Sequence, residues 1–235
     1  MAHSQSAQAP EPTSIDRNIH LIKERIARAA EKSGRSSSEV TLVAVTKTVS
    51  AERVHEAFAA GIEDFGESRV QEAAPKIEQL QSLDLRPVWH MVGHLQTNKA
   101  KPAAELFDFI QSIDSVRVAQ AVSAHASHDI RVLLQVNLAG EETKSGFAAG
   151  DVAPVLAEIS RLPHVDVKGL MTIAPYTRDP EDVRPVFRQL RMLRDSLGLE
   201  HLSMGMTDDY QVAVEEGATM VRIGRAIFGD WEMQT

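Results

Sequence analysis

The sequence has no cysteine, and only two tryptophans and two tyrosines among 235 residues. Without cysteine there can be no disulfide, no thiol nucleophile and no thiolate metal site, a usage that fits a cytoplasmic protein. No apolar run approaches the roughly 18 residues of a membrane span. The polar start Met1-Ala2-His3-Ser4-Gln5 also lacks a signal-peptide core. Positive charge is in deficit as well: 25 Lys and Arg stand against 33 Asp and Glu, a formal net charge of −8. That balance favours solubility and provides no general attraction for nucleic acid or anionic lipid. Any anion site must be local.

What is present can bury a full core. Hydrophobic residues make up 43% of the chain, and 235 residues suit a single domain. Residues 1–13 are rich in Ala, Gln, Pro and Ser without periodicity and read as a flexible tail, which leaves 14–235 as the folded domain. Ser14 can cap a first helix whose Ile15, Ile19, Ile22, Ile26 and Ala29 share one face, and Lys32-Ser33-Gly34 ends it.

After this helix, strand-like and helix-like segments alternate. Apolar, β-branched runs occur near 40–47, 63–67, 87–93, 108–113, 131–138, 165–173, 201–205 and 219–223. Between them lie amphipathic helices, clearest at Val152, Val155, Ile159 and Leu162 and at Val183, Phe187, Leu190, Leu193 and Leu197. Such alternation requires a parallel sheet with right-handed crossovers. Eight repeats in this length predict an α/β fold, a single (β/α)8 TIM barrel with an extra N-terminal helix; an open doubly wound sheet is the alternative. The second and seventh strands are short and contain Gly66 and Gly205.

In a barrel of this kind the working residues sit at the C-terminal ends of the strands. Lys47 closes the run Val40–Lys47 and places a primary amine at the mouth. Where burial or a neighbouring cation favours its neutral form, a lysine amine condenses with an aldehyde; a lysine reaching for water at a strand end is the plainer reading. The loops after strands seven and eight commonly hold phosphate. Here they carry Ser203, Gly205 and Thr207, then Arg222 and Gly224 ahead of a short helix whose first amides can face an anion. Ordinary turn chemistry accounts for either segment alone, with Thr207 capping a helix that begins at Asp208 and Gly224 ending a strand. An amine at one edge and an anion cradle at the other together fit a phosphorylated aldehyde, pyridoxal 5′-phosphate above all.

Six segments carry a resemblance in chain order: Val43–Thr48, Phe65–Glu72, Trp89–Lys99, Gly169–Thr172, Leu202–Asp209 and Met220–Gly229. Together they resemble the YggS-type pyridoxal phosphate homeostasis proteins, whose fold is a barrel similar to the N-terminal domain of alanine racemase. The resemblance implies that Lys47 is the aldimine lysine and that Ser203, Gly205, Thr207, Arg222 and Gly224 surround the phosphate and ring. Whether Arg222 meets the phosphate or the pyridine nitrogen stays open. Ser68 stands where the family usually has Asn, so a direct contact there becomes water-mediated in expectation. His90 is expected as a polar wall of the cofactor pocket, facing the mouth with Val92. Met171 packs against the ring or simply fills the core.

Other constellations carry less. His90 and His94 are four apart, but the first lies in a strand and no third ligand cluster is near. Asp208 and Asp209 suit the first turn of a helix on electrostatic grounds alone. Glu141, Glu142 and Lys144 follow strand five and either meet a partner or are solvated. The expected function is reversible holding of pyridoxal phosphate, as a carrier that buffers it or supplies it to apo-enzymes. The alternatives are an amino-acid racemase and a cofactor-free Schiff-base aldolase. Racemisation needs a second acid–base group opposite the lysine, and neither Tyr176 nor Tyr210 lies in a matching motif; the racemase's additional β domain also has no counterpart before Thr235. The protein is further expected to be a cytoplasmic monomer.

Overall fold

A computed structural model describes residues 14–138 and 145–229. The expected tail at 1–13 and the loop residues Glu141, Glu142 and Lys144 lie outside them. The first helix, α1 (Ser14–Lys32), buries Ile15, Ile19, Ile22, Ile26 and Ala29 as its period requires, and Gly34 follows with φ 72°.

All eight strands form where the apolar runs place them. They are β1 (Thr41–Val45), β2 (Asp64–Glu67), β3 (Val88–Met91), β4 (Phe109–Ile113), β5 (Ile130–Gln135), β6 (Val165–Met171), β7 (His201–Ser203) and β8 (Met220–Ile223). Each pairs in parallel with the next, and β8 returns to β1 to close the barrel, with Val43 opposite Arg222. The open doubly wound alternative is therefore excluded. Closure leaves no edge strand.

Between the strands run α2 (Ala51–Ala59), α3 (Val70–Ser82), α4 (Ala100–Leu106), α5 (Val116–His125), α6 (Val152–Ile159), α7 (Arg184–Ser196) and α8 (Tyr210–Glu215), and α9 (Arg225–Phe228) follows β8. Their apolar faces meet the outward residues of the strands, among them Leu42, Ala44, Phe65, Trp89, Met91 and Leu202, in one continuous core. Full burial of side chains of this size is worth about 1.5–3 kcal/mol each. Inside the barrel a separate cluster of Val43, Phe109, Leu133, Met171 and Met220 forms an apolar plug. Strand seven is only three residues long because the chain turns at once through Gly205, at φ 91°. A Cβ there would lie 2.5 Å from Ala213 Cβ, so both conformation and space demand glycine.

Candidate functional site

Lys47 lies one residue past the last backbone bond that joins β1 to β2, from Thr46 N–H to the Gly66 carbonyl at 2.9 Å. It is exposed, and its amine has no partner among the described residues. Thr48 then turns the chain with φ 62°, a conformation that a β-branched residue adopts only when its surroundings impose it.

The adjoining side of the mouth is built from β8, which pairs directly with β1, and from the loops after β7 and β8, so the amine and the anion cradle lie on neighbouring strands rather than at opposite edges. Arg222 is 5% exposed. Its guanidinium donates to Ser203 Oγ at 2.5 Å and to the Thr172 carbonyl at 2.8 Å, and it makes no ion pair among the described residues. Burial pulls its pKa down to about 10, against the attraction of Asp209. Arg222 is therefore still charged at neutral pH, with N–H donors to spare. Asp209 is itself shifted upward by burial, against the Met206 N–H that it accepts at 2.6 Å.

Asp209, rather than Thr207, stands at the N-terminus of α8, which begins at Tyr210 and not at Asp208. The capping alternative for Thr207 does not hold: its half-buried side chain is left without a hydrogen bond among the described residues. Asp208 instead accepts from Arg225 at 2.8 and 2.9 Å, tying the two loops together at the surface. Gly224 precedes α9, and a Cβ on it would stand 3.0 Å from the Val45 carbonyl. The absent side chain lets β8 and β1 close up beneath the first amides of that helix. These features fit a phosphorylated aldehyde: a buried cation in need of an acceptor, an unengaged hydroxyl, free backbone amides and an unpaired amine.

Four expected residues take less direct positions. The Ser203 hydroxyl is committed inside the barrel, accepting from Arg222 and donating to Gln111 Oε1 at 2.6 Å. His90 faces the interior as the strand period requires, but both ring nitrogens are engaged. Nδ1 lies 2.9 Å from Gln111 Nε2 and Nε2 lies 2.9 Å from Asp64 Oδ1, while the ring stacks on Phe109 at 5.2 Å. Met171 belongs to the apolar plug. Ser68 sits at the rim and lines a side cavity of about 640 Å³ with Arg69, His94, Gln96 and Lys99, which neither Lys47 nor Arg222 lines. His94 turns to Asp114, at 2.8 Å, so the two histidines bind different carboxylates and do not converge.

The result is a chain of hydrogen bonds through the barrel, Arg222 to Ser203 to Gln111 to His90 to Asp64. With the Gln111 amide as placed, each donor points away from Arg222 and the chain ends on a carboxylate. Gln111 and Asp64 were not legible as site residues, although a glutamine in the middle of the apolar run of β4 was a signal. Gln111→Leu should leave the Ser203 hydroxyl proton without an acceptor and His90 Nδ1 without a partner, both buried, and should lower stability by about 1–2 kcal/mol. Urea unfolding checks this; an unchanged midpoint would show that the chain contributes nothing.

Comparison with known proteins agrees with this geometry. The family described as alanine racemase, N-terminal domain, matches residues 17–231. A pyridoxal phosphate homeostasis protein of Aquifex aeolicus is 44% identical over 221 residues, 90% of this chain and 96% of that one. One from Pseudomonas aeruginosa is 44% identical over 223 residues, 92% and 96% of the two chains. PipY of Synechococcus elongatus, solved with PLP bound, has a TM-score of 0.80 at 35% identity and covers 92% of this chain and all of its own. The alanine racemase of Corynebacterium glutamicum, at 18% identity and TM-score 0.64, shares the fold, and the match spans 62% of its length. The eight-stranded barrel, the motifs along it and these relatives place the chain in the alanine racemase N-terminal domain family, among the pyridoxal phosphate homeostasis proteins.

Proposed function

We propose that the protein holds pyridoxal 5′-phosphate reversibly through Lys47 and yields it to apo-enzymes that need it. The observation that carries this reading is the unpaired Lys47 amine at the exit of β1, beside the adjacent strand β8 whose buried Arg222 makes no ion pair among the described residues. The relatives' names and the PLP-bound PipY supply the identity of the ligand. In its neutral form the Lys47 amine adds to an aldehyde carbonyl; the C=N bond forms and water leaves, and water or another amine reverses the step. Thr207, the amides at the start of α9 and the backbone around Gly205 and Gly224 would hold the phosphate. Arg222 would meet either that anion or the ring nitrogen, Met171 lies below, and Ser68 stands at the rim. His90 acts on this site through Gln111 and Ser203. The bound group would supply a reactive aldehyde and an electron-withdrawing ring.

A racemase would need a second acid–base group facing Lys47. Tyr210 is buried in the outer packing layer and Tyr176 is 85% exposed on the loop after β6, so neither is placed for that role. We take the protein to work as a cytoplasmic monomer, since a closed sheet offers no edge for pairing. One loaded preparation tests carrier against enzyme. It should reactivate an apo-enzyme beyond a free-cofactor control while exchanging and racemising free amino acids negligibly. Robust racemisation lost in Lys47→Ala, with no transfer, would establish the enzyme instead.

A further inference from the structure

Beneath Lys47, on the face of β1 and β2 that meets the helices, lies an ion pair that the binding site does not use. Glu67 is fully buried and shares a face with the outward Phe65. Lys76, on α3, is 9% exposed. Its Nζ donates to Glu67 Oε1 at 2.5 Å and to the Thr46 carbonyl at 2.7 Å, and Thr46 Oγ1 donates to the same carboxylate oxygen at 2.6 Å. Glu67 Oε2 has no partner among the described residues.

We propose that Lys76 and Glu67 are positioning residues for Lys47: they grip the carbonyl and the hydroxyl of Thr46 and so fix the direction in which Lys47 leaves the barrel. Stability alone does not account for the pair. Desolvating two charges costs more than packing apolar side chains of similar volume in the same place, and a carboxylate oxygen is left unsatisfied. What an ion pair adds over such packing is directional bonding to the peptide on which Lys47 is carried. The other side of Lys47 is constrained as well, by left-handed Thr48, whose hydroxyl donates to the Lys47 carbonyl at 2.6 Å. A long side chain in solvent is thus rooted between two fixed peptides, which shortens the search of its amine for a bound carbonyl.

This inference rests on the reading of Lys47 as the covalent holder, and the test separates the two. Wild type, Lys76→Met, the double variant Lys76→Met/Glu67→Leu and Thr46→Val are loaded with pyridoxal phosphate. Total bound cofactor is measured by equilibrium dialysis in Lys47→Ala backgrounds. The rate of attachment at Lys47 is measured by stopped-flow absorbance and by mass mapping after borohydride. Misplacement by about 1 Å costs up to about 100-fold in rate, so the double variant should keep its dialysis affinity within about twofold and attach at least about tenfold more slowly. Thr46→Val, which keeps the ion pair and the volume, should slow attachment by a smaller factor and tests the proposal should the charge variants fail to fold. Wild-type attachment rates in a folded double variant, or in Thr46→Val where that variant alone folds, would overturn the positioning role. A wild-type protein that carries no adduct on Lys47 would instead overturn the underlying reading.

Discussion

Lys47→Ala is expected to lose the borohydride-stable cofactor adduct completely, while weaker, non-covalent binding of pyridoxal phosphate persists. The separation follows from the layout of the mouth. The amine is contributed by the exit of β1, whereas Arg222 comes from β8 and Thr207, Gly205 and Gly224 from the loops after β7 and β8. Removing the amine leaves the anion end intact, because the Lys47 side chain makes no hydrogen bond among the described residues. The variant should therefore unfold at the wild-type temperature, since exposed substitutions of this kind usually fall within about 0.5 kcal/mol. Peptide mapping of the wild type after reduction should find the adduct on Lys47. An adduct on Lys99 with Lys47 unmodified would reject the assignment.

Arg222→Ala should weaken cofactor binding by about 1.5–3 kcal/mol, the worth of a buried charge-assisted contact, or about 10- to 150-fold in Kd. The guanidinium is the buried positive charge that the described mouth presents to an anion or a ring nitrogen. It is also fixed in place, since two of its donors are already spent on Ser203 and the Thr172 carbonyl. Arg222→Lys should recover only part of the loss, because an ammonium keeps the charge but cannot reproduce a planar fork that bonds Ser203, Thr172 and a ligand at once. Titration of each variant by the change in cofactor absorbance measures this. Affinity unchanged in Arg222→Ala would remove the residue from the site, and a full recovery in Arg222→Lys would show that charge alone is recognised.

Local signals in the sequence were sufficient for the strands, the apolar faces of the helices, the strand-end lysine and the glycine-bearing loops after β7 and β8. Each depends on neighbours a few positions away: period two in a strand, period 3.6 in a helix, or a glycine where a Cβ has no room. The period also gave His90 its inward direction. It could not give depth, because depth follows from register, and the pairing of Gly66 with His90 is set by closure of the whole barrel. For the same reason the period could not show that the Ser203 hydroxyl is engaged by Arg222 and by Gln111, the latter 92 positions away. No local pattern marks Lys76 as buried; only the packing of α3 on β1 and β2 turns it inward onto Glu67. Sequence alone determined the elements and singled out the strand-end lysine proposed as the reactive amine, because those are written in short-range pattern and side-chain chemistry. Tertiary structure alone decided which polar groups are buried together and what they hold in place, because burial and hydrogen-bond partners exist only once the chain has closed on itself.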